Sequence, residues 1–162
     1  LRVIFLDFDG VLNGLTRNTG RCDATVGEYG SPIWCAEQID SGLVEQLNKI
    51  VEATGAVVVI SSSWRNAHHL NKLREMLKVA GFRGSIIGDT PRLHRTPDGV
   101  PKHRHDEIQM WLDAVGDAVE SFVILDDWDM GYLGHRLVRS SVYKGLEAQH
   151  VTRAIHLLRR PV

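Results

Sequence analysis

Neither sign of charge prevails in this chain, cysteine is scarce and no apolar run is long, and each shortage removes a class of protein. The 19 basic and 20 acidic residues leave a formal net charge of −1. No global field therefore draws the chain to nucleic acid or to an anionic membrane, and a polyanion has to be held by a local patch. Cys22 and Cys35 are the only cysteines, too few and too far apart for a zinc knuckle. They could pair, but two thiols in a reducing cytosol are the expected state, which makes the expected location cytoplasmic. No stretch approaches the roughly 20 apolar residues that span a bilayer, so no membrane partner is expected. The chain opens directly in a strand, without a charged-then-apolar leader. Its missing initiator Met is what a trimmed chain or a domain cut from something longer would show. Internal repeats, low-complexity tracts and dividing linkers are absent as well.

What the chain does hold suits one soluble domain. Its 162 residues, 43% hydrophobic and 24% charged, can bury a core without disulfides or a structural metal. We read 1–162 as a single domain with a small flap insertion at about 14–40, where Asn, Thr, Gly, Ser and Pro are scattered without a period. Val3, Ile4, Phe5 and Leu6 read as a strand buried on both faces. Leu43, Val44, Leu47, Ile50 and Val51 fall on one helical face that Gly55 ends, and 56–60 follows as a second buried strand. A helix with Leu70, Leu73, Met76, Leu77 and Ala80 inside stops at Gly81, and 85–87 is a short strand. Residues 88–103 read as loop, with Pro91, Pro97, Gly99 and Pro101 opposing regular structure. Ile108, Trp111, Leu112 and Val115 mark a further helix closed by Gly116, and 122–125 is a strongly apolar strand. A weak strand around 137–143 and a helix with Val151, Ile155 and Leu158 inside complete the chain. Strands alternating with helices predict an α/β fold, a Rossmann-like parallel sheet with helices on both faces.

Three of these strands end in polar chemistry. The first runs into Asp7-Phe8-Asp9-Gly10, where strand alternation would send both carboxylates off on the same side before Gly10 turns the chain. Carboxylates that close repel unless a cation or a shared proton intervenes, which makes a hard ion such as Mg²⁺ the natural third party. A strand followed by an Asp-Gly turn is the plainer alternative. The second ends in Ser61-Ser62-Ser63, one of which suits a helix N-cap, and another in Asp126-Asp127, which could be a solvated turn. In open α/β sheets ligands settle beyond the carboxyl ends of the strands. All three motifs would then share one rim with Arg65, Lys102 and Arg104, offering oxygens to a divalent metal and donors to a phosphate.

The sequence resembles the haloacid dehalogenase (HAD) superfamily of phosphatases and phosphotransferases. The resemblance rests on Asp7-Phe8-Asp9-Gly10-Val11 after a strand, on Ser61 at the end of the second, on Lys102 or Arg104 near a helix start, and on Ile124-Leu125-Asp126-Asp127. These motifs occur in the family's order and cover nearly the whole chain; Val11 stands where Thr is frequent. The resemblance implies that Asp7 is a nucleophile forming an aspartyl-phosphate and that Asp9 is the acid and then the base. It implies Mg²⁺ on Asp7, on the backbone carbonyl of Asp9 and on Asp127, with Asp126 close behind. Ser61 would donate to a phosphoryl oxygen and the third-motif cation, Arg104 before Lys102, would neutralise the charge that builds there. Ser62, Arg65 and Gly10 complete the expected substrate-binding set. Many relatives carry a large cap domain, but neither 14–40 nor 88–101 is long enough for one. The fold is expected to be essentially capless, with a site able to accept the end of a large substrate.

Ser-Ser-Ser-Trp-Arg, Gly88-Asp89-Thr90-Pro91, Ile108 to Leu112 and the run from Ile124 to Met130 look like the HAD domains of multi-domain RNA-repair proteins, related to the phosphatase half of polynucleotide kinase-phosphatases. This implies a phosphorylated substrate at a nucleic-acid 3′ end and fusion to other repair domains. Arg65, Lys72, Arg92, Arg95, Lys102 and Arg104 could form a track for a phosphate backbone, or be scattered solvated charges. Arg65 could reach a phosphate, brace the acidic pair, or form a surface ion pair. His68 and His69, adjacent on a helix, would point about 100° apart and not grip one ion. His103 and His105 could touch substrate, and Asp106-Glu107 suit the start of a helix. Trp64 and Trp128 could stack on a base or simply pack. A phosphatase of a nucleotide, metabolite or phosphoprotein stays open, as does a non-catalytic interaction domain, whose usual mark is loss of the first carboxylate.

Overall fold

The computed structural model describes residues 1–16, 39–93 and 103–162. Strands β1 (Arg2–Leu6), β2 (Val57–Ile60), β3 (Ile86–Asp89), β4 (Ser121–Asp126) and β5 (Leu137–Arg139) form one sheet, in the order β3-β2-β1-β4-β5, with every pairing parallel. The helices are α1 (Ser41–Thr54), α2 (Leu70–Val79), α3 (Arg104–Val115) and α4 (Ala148–Leu158). The α/β reading of the sequence is therefore the architecture found. None of the described helices is long and apolar enough to cross a membrane.

Both faces of the sheet are covered, which is why β1 at its centre reads as an unbroken apolar run. Alternation along that strand divides the core in two. Ile4 and Leu6 pack with α1, α2 and α4, while Val3 and Phe5 pack with Ile108, Trp111 and Leu112 of α3. The chain winds outward through α1 and α2 to β3 along one face, then returns over the other face through α3 to β4. The winding reverses between β1 and β4, and such a reversal opens a crevice at the strands' carboxyl ends.

Local signals set the boundaries. Asp40 caps α1 by accepting from the N–H groups of Gly42 (2.7 Å) and Leu43 (3.2 Å), and Gly55 ends it in the left-handed conformation at φ 68°. Two expectations shift. β3 starts at Ile86 and continues through Gly88 and Asp89, which pair with Val59 and Ile60. At this sheet edge the backbone ladder outlasts the apolar pattern. β5 stops at Arg139 instead of running to 143, because after a last bond to β4 from the Ser140 N–H to the Asp126 carbonyl (3.0 Å) the chain enters a turn closed by a Ser141–Gly145 bridge. His68 and His69 also leave their expected helix, since His69 is the extended N-cap of α2. The expected flap at 14–40 falls mostly on residues outside those described, as do Cys22, Cys35, Arg95 and Lys102.

Candidate active site

At the carboxyl ends of the strands the register sets Thr90, Ser61, Asp7, Asp126 and Arg139 in a row, the first three one residue past β3, β2 and β1 and the last two closing β4 and β5. The N–H of Asp7 donates to the Leu125 carbonyl (3.0 Å), that of Ser61 to Leu6 (2.8 Å) and that of Thr90 to Ile60 (2.9 Å), while Asp126 pairs with Arg139. Leu6, Ile60 and Leu125 all point to the face of α1. Alternation therefore turns the next residues, Ser61, Asp7 and Asp126, toward the face of α3. The first residue of α3, Arg104, meets them there.

Its Nη1 donates to Oδ2 of both Asp7 and Asp126, although Arg104 lies 97 residues from one and 22 from the other. Asp7 is buried, with its Oδ1 accepting from the N–H of Phe8 (2.8 Å). Carboxylate oxygens of Asp7, Asp126 and Asp127 lie within 4.8 Å of one another. Burial raises the pKa of Asp126 to about 7, with the charge of Asp7 adding to the rise and Arg104 opposing it. Asp127 is raised by burial and by Asp7. Burial works to lower the pKa of Arg104, and the two carboxylates more than offset it, so this guanidinium stays charged. Gly10 permits the cluster. Its φ is +68°, and a Cβ there would lie 2.7 Å from Cγ of Asp127.

Asp9 does not follow behind Asp7, because the alternation ends at Phe8, which packs on the face of Leu6 and whose carbonyl accepts from the N–H groups of Val11 (3.2 Å) and Leu12 (2.8 Å) in a turn. Its Oδ1 accepts from Nδ2 of Asn13 and its Oδ2 from Nε1 of Trp64, each at 2.9 Å. Trp64 is itself fixed by stacking on the buried Phe8, with ring centres 4.8 Å apart. Burial raises the pKa of Asp9. The Asn13 and Trp64 donors pull against that rise, and the charges of Asp7 and Asp127 add to it. Asp9 still borders a cleft of about 190 Å³ with Ser63, Trp64, Ala67 and His68. Sequence reasoning passed over Asn13 and gave Trp64 no partner, although a buried indole N–H has to find an acceptor.

The remaining expected residues divide. Ser61 is buried and its hydroxyl has no partner, as is true of Thr90 just past β3, which the sequence reading named only within Gly88-Asp89-Thr90-Pro91 and gave no site role. Ser62 is the serine that caps, its hydroxyl accepting from the N–H of Trp64 (3.3 Å). Arg65 is buried rather than on the surface. It donates to the carbonyls of Ser62, Thr90 and Pro91 and pairs with Glu107 of α3 at 2.7 Å. Of the six basic residues that could form a track, the four described ones all have partners. Arg65 and Arg104 are engaged internally, Lys72 pairs with Glu75 (3.0 Å) and Arg92 with Asp89 (3.5 Å). Asp106 and Glu107 do stand in the first turn of α3.

A family model described as the HAD domain in Swiss Army Knife RNA repair proteins matches residues 3–151. The chain belongs to this family. Comparison with curated proteins and with solved structures gives no match. In this HAD domain the described acids suit Mg²⁺, which HAD proteins typically use. Three oxygen donors converge, and one guanidinium stands against three carboxylates, so a hard divalent ion fits both the donor type and the charge. A phosphorylated substrate follows from the family.

Proposed function

We propose that this HAD domain is a Mg²⁺-dependent phosphomonoesterase that removes the phosphate from a nucleic-acid 3′ end through an aspartyl-phosphate on Asp7. The observation that carries it is the convergence of Asp7, Asp126 and Asp127 with Arg104 at the winding reversal. A carboxylate of Asp7 attacks phosphorus as the bond to the leaving oxygen breaks, and Asp9 gives that oxygen a proton. Water then attacks the aspartyl-phosphate, Asp9 takes its proton, and the Asp7 carboxylate and inorganic phosphate are released. The first half needs Asp9 protonated, and its raised pKa supports that role.

The ion would be held by Asp7, Asp127 and the Asp9 carbonyl, with Asp126 behind. When bound, it supplies positive charge that offsets the repulsion between an anionic nucleophile and an anionic phosphate. Arg104 stabilises the charge developing on the phosphoryl oxygens, and the unpartnered Ser61 hydroxyl donates to one of them. Lys102 is the alternative to Arg104 for this third-motif role and lies outside the described residues. The RNA-repair description of the family supports a nucleic-acid end. A capless domain, as expected from the shortness of 14–40 and 88–101, would suit such an end, and so would fusion to other repair domains.

The test compares 3′-phosphorylated oligonucleotides with free nucleotides, sugar phosphates and phosphopeptides, with Mg²⁺ and with chelator. We expect kcat/KM to be highest for the oligonucleotide and turnover to vanish in chelator. Asp7→Asn should reduce turnover by several orders of magnitude while circular dichroism stays unchanged. Equal kcat/KM across the panel would remove the nucleic-acid assignment, and wild-type rates in Asp7→Asn would remove the mechanism.

A further inference from the structure

Trp64 and Trp128 flank the site on its two sides, and their situations are opposite. Trp64 is buried on Phe8, whereas Trp128 is 65% exposed. An exposed indole at a polar rim leaves a large apolar surface in water, and among the described residues its one ring or cation contact is with Arg104. The residue is nevertheless fixed. Its backbone N–H donates to Oδ1 of Asp126 (2.9 Å), and the Arg104 guanidinium stands 5.6 Å from its ring centre. That guanidinium also bonds the nucleophile candidate Asp7. The open ring is thus one guanidinium away from the attacking carboxylate, and a nucleotide carries its base one sugar away from its phosphate.

The charges of the domain sharpen the case. Among the described residues, Arg65, Lys72, Arg92 and Arg104 are each paired with an acid, so these four do not offer backbone phosphates an open track. With these four cations engaged, contacts that are not ionic add to the grip that the scissile phosphate gives on a strand end. Stacking on an aromatic ring is such a contact, and it tolerates any base because every base has a π-face. We propose that Trp128 is the stacking platform for the base of the terminal nucleotide, so that the site selects a phosphate borne by a nucleotide over the same phosphate on a bare sugar. This deepens the phosphatase reading above and rests on it.

The experiment uses two single-stranded oligonucleotides ending in a 3′-phosphate, one with an intact terminal nucleotide and one in which that nucleotide is abasic. Wild type should favour the first by roughly 5- to 100-fold in kcat/KM, the range stacking supplies. Trp128→Ala should bring the ratio close to one, and Trp128→Phe should restore part of it. The same ratio is read as Kd in an Asp7→Asn background, so a variant that turns over poorly still reports. A ratio that Trp128→Ala leaves at its wild-type value, with both oligonucleotides still hydrolysed, overturns the platform and leaves the phosphatase reading standing. If wild type hydrolyses neither, or favours a phosphopeptide over both, the nucleic-acid reading fails and the platform with it.

Discussion

Asp9 meets an N–H donor at each carboxylate oxygen, and the two donors have unlike origins. Asn13 belongs to the same turn, whereas Trp64 arrives from the end of β2, 55 residues away, and is locked by its stack on Phe8. Both donors favour the charged carboxylate and oppose the rise that burial imposes. Trp64→Phe keeps the ring on Phe8 and deletes the N–H, so the pKa of Asp9 should climb further. Because the first chemical step needs the proton, the falling limb of the kcat profile should move to higher pH. A limb that stays in place would separate Trp64 from Asp9. At this scale the meeting of Asp7 with Asp126 and Asp127 was legible in the sequence, since carboxylates that terminate buried apolar strands cost desolvation and need a cation to offset it. The cap made by Ser62 was legible too. The partners of Asp9 were not, because which buried donor meets which acid depends on ring packing that no spacing records.

The position of Arg104 is the work of an element, α3, whose grip on the sheet is thin. Ile108 is its one fully buried residue. At the start of the helix Glu107 accepts from Nη2 of Arg65 (2.7 Å) and from the N–H of Leu93 (2.9 Å), tying the first turn to the ends of β2 and β3. The side chains of Arg65 and Glu107 are 5% and 15% exposed. Removing one partner of such a pair leaves the other charged and poorly solvated. Glu107→Gln should therefore lower unfolding free energy by about 3 kcal/mol in urea titrations, and it should reduce kcat because Arg104 shares the loosened turn. A change within about 0.5 kcal/mol, of the order expected for exposed pairs, would contradict the bracing role. The helices themselves were legible from their apolar stripes and glycine ends. The bounds of β3 and β5 were not, since edge strands are held by backbone pairing more than by side-chain pattern. The role of Arg65 was hidden for a similar reason, its partner lying 42 residues away.

For the whole molecule, the acids of the site make stability depend on pH in an unusual direction. Asp9, Asp126 and Asp127 all hold their protons more tightly when folded than an ordinary carboxylate does. Below the usual value of 3.8 both the folded and the unfolded chain are protonated at these groups, and they cost nothing. As pH rises the unfolded chain releases its protons first, so stability falls from there up through about 7, where Asp126 titrates. In chelator the urea midpoint should be lower at pH 8 than at pH 5, and Asp126→Asn should flatten that slope. Mg²⁺ should raise the midpoint more at pH 8, because it binds the deprotonated acids. A midpoint in chelator that rises with pH would contradict the assignment. The layered sheet was legible as a whole, because alternating strands and helices allow few arrangements. That α3 carries the chain back across β1, placing β4 beside it, follows from the winding and not from any residue pattern.

The pairing of Leu6 with Leu125 has one more consequence. During synthesis the nucleophile candidate leaves the ribosome well before the acids and the guanidinium that would make it useful, which lie about a hundred residues further on. A nascent chain that has extruded only as far as β3 holds a lone carboxylate at an unfinished sheet edge, and such a chain should be chemically silent. Competence would arrive in one step, when β4 docks.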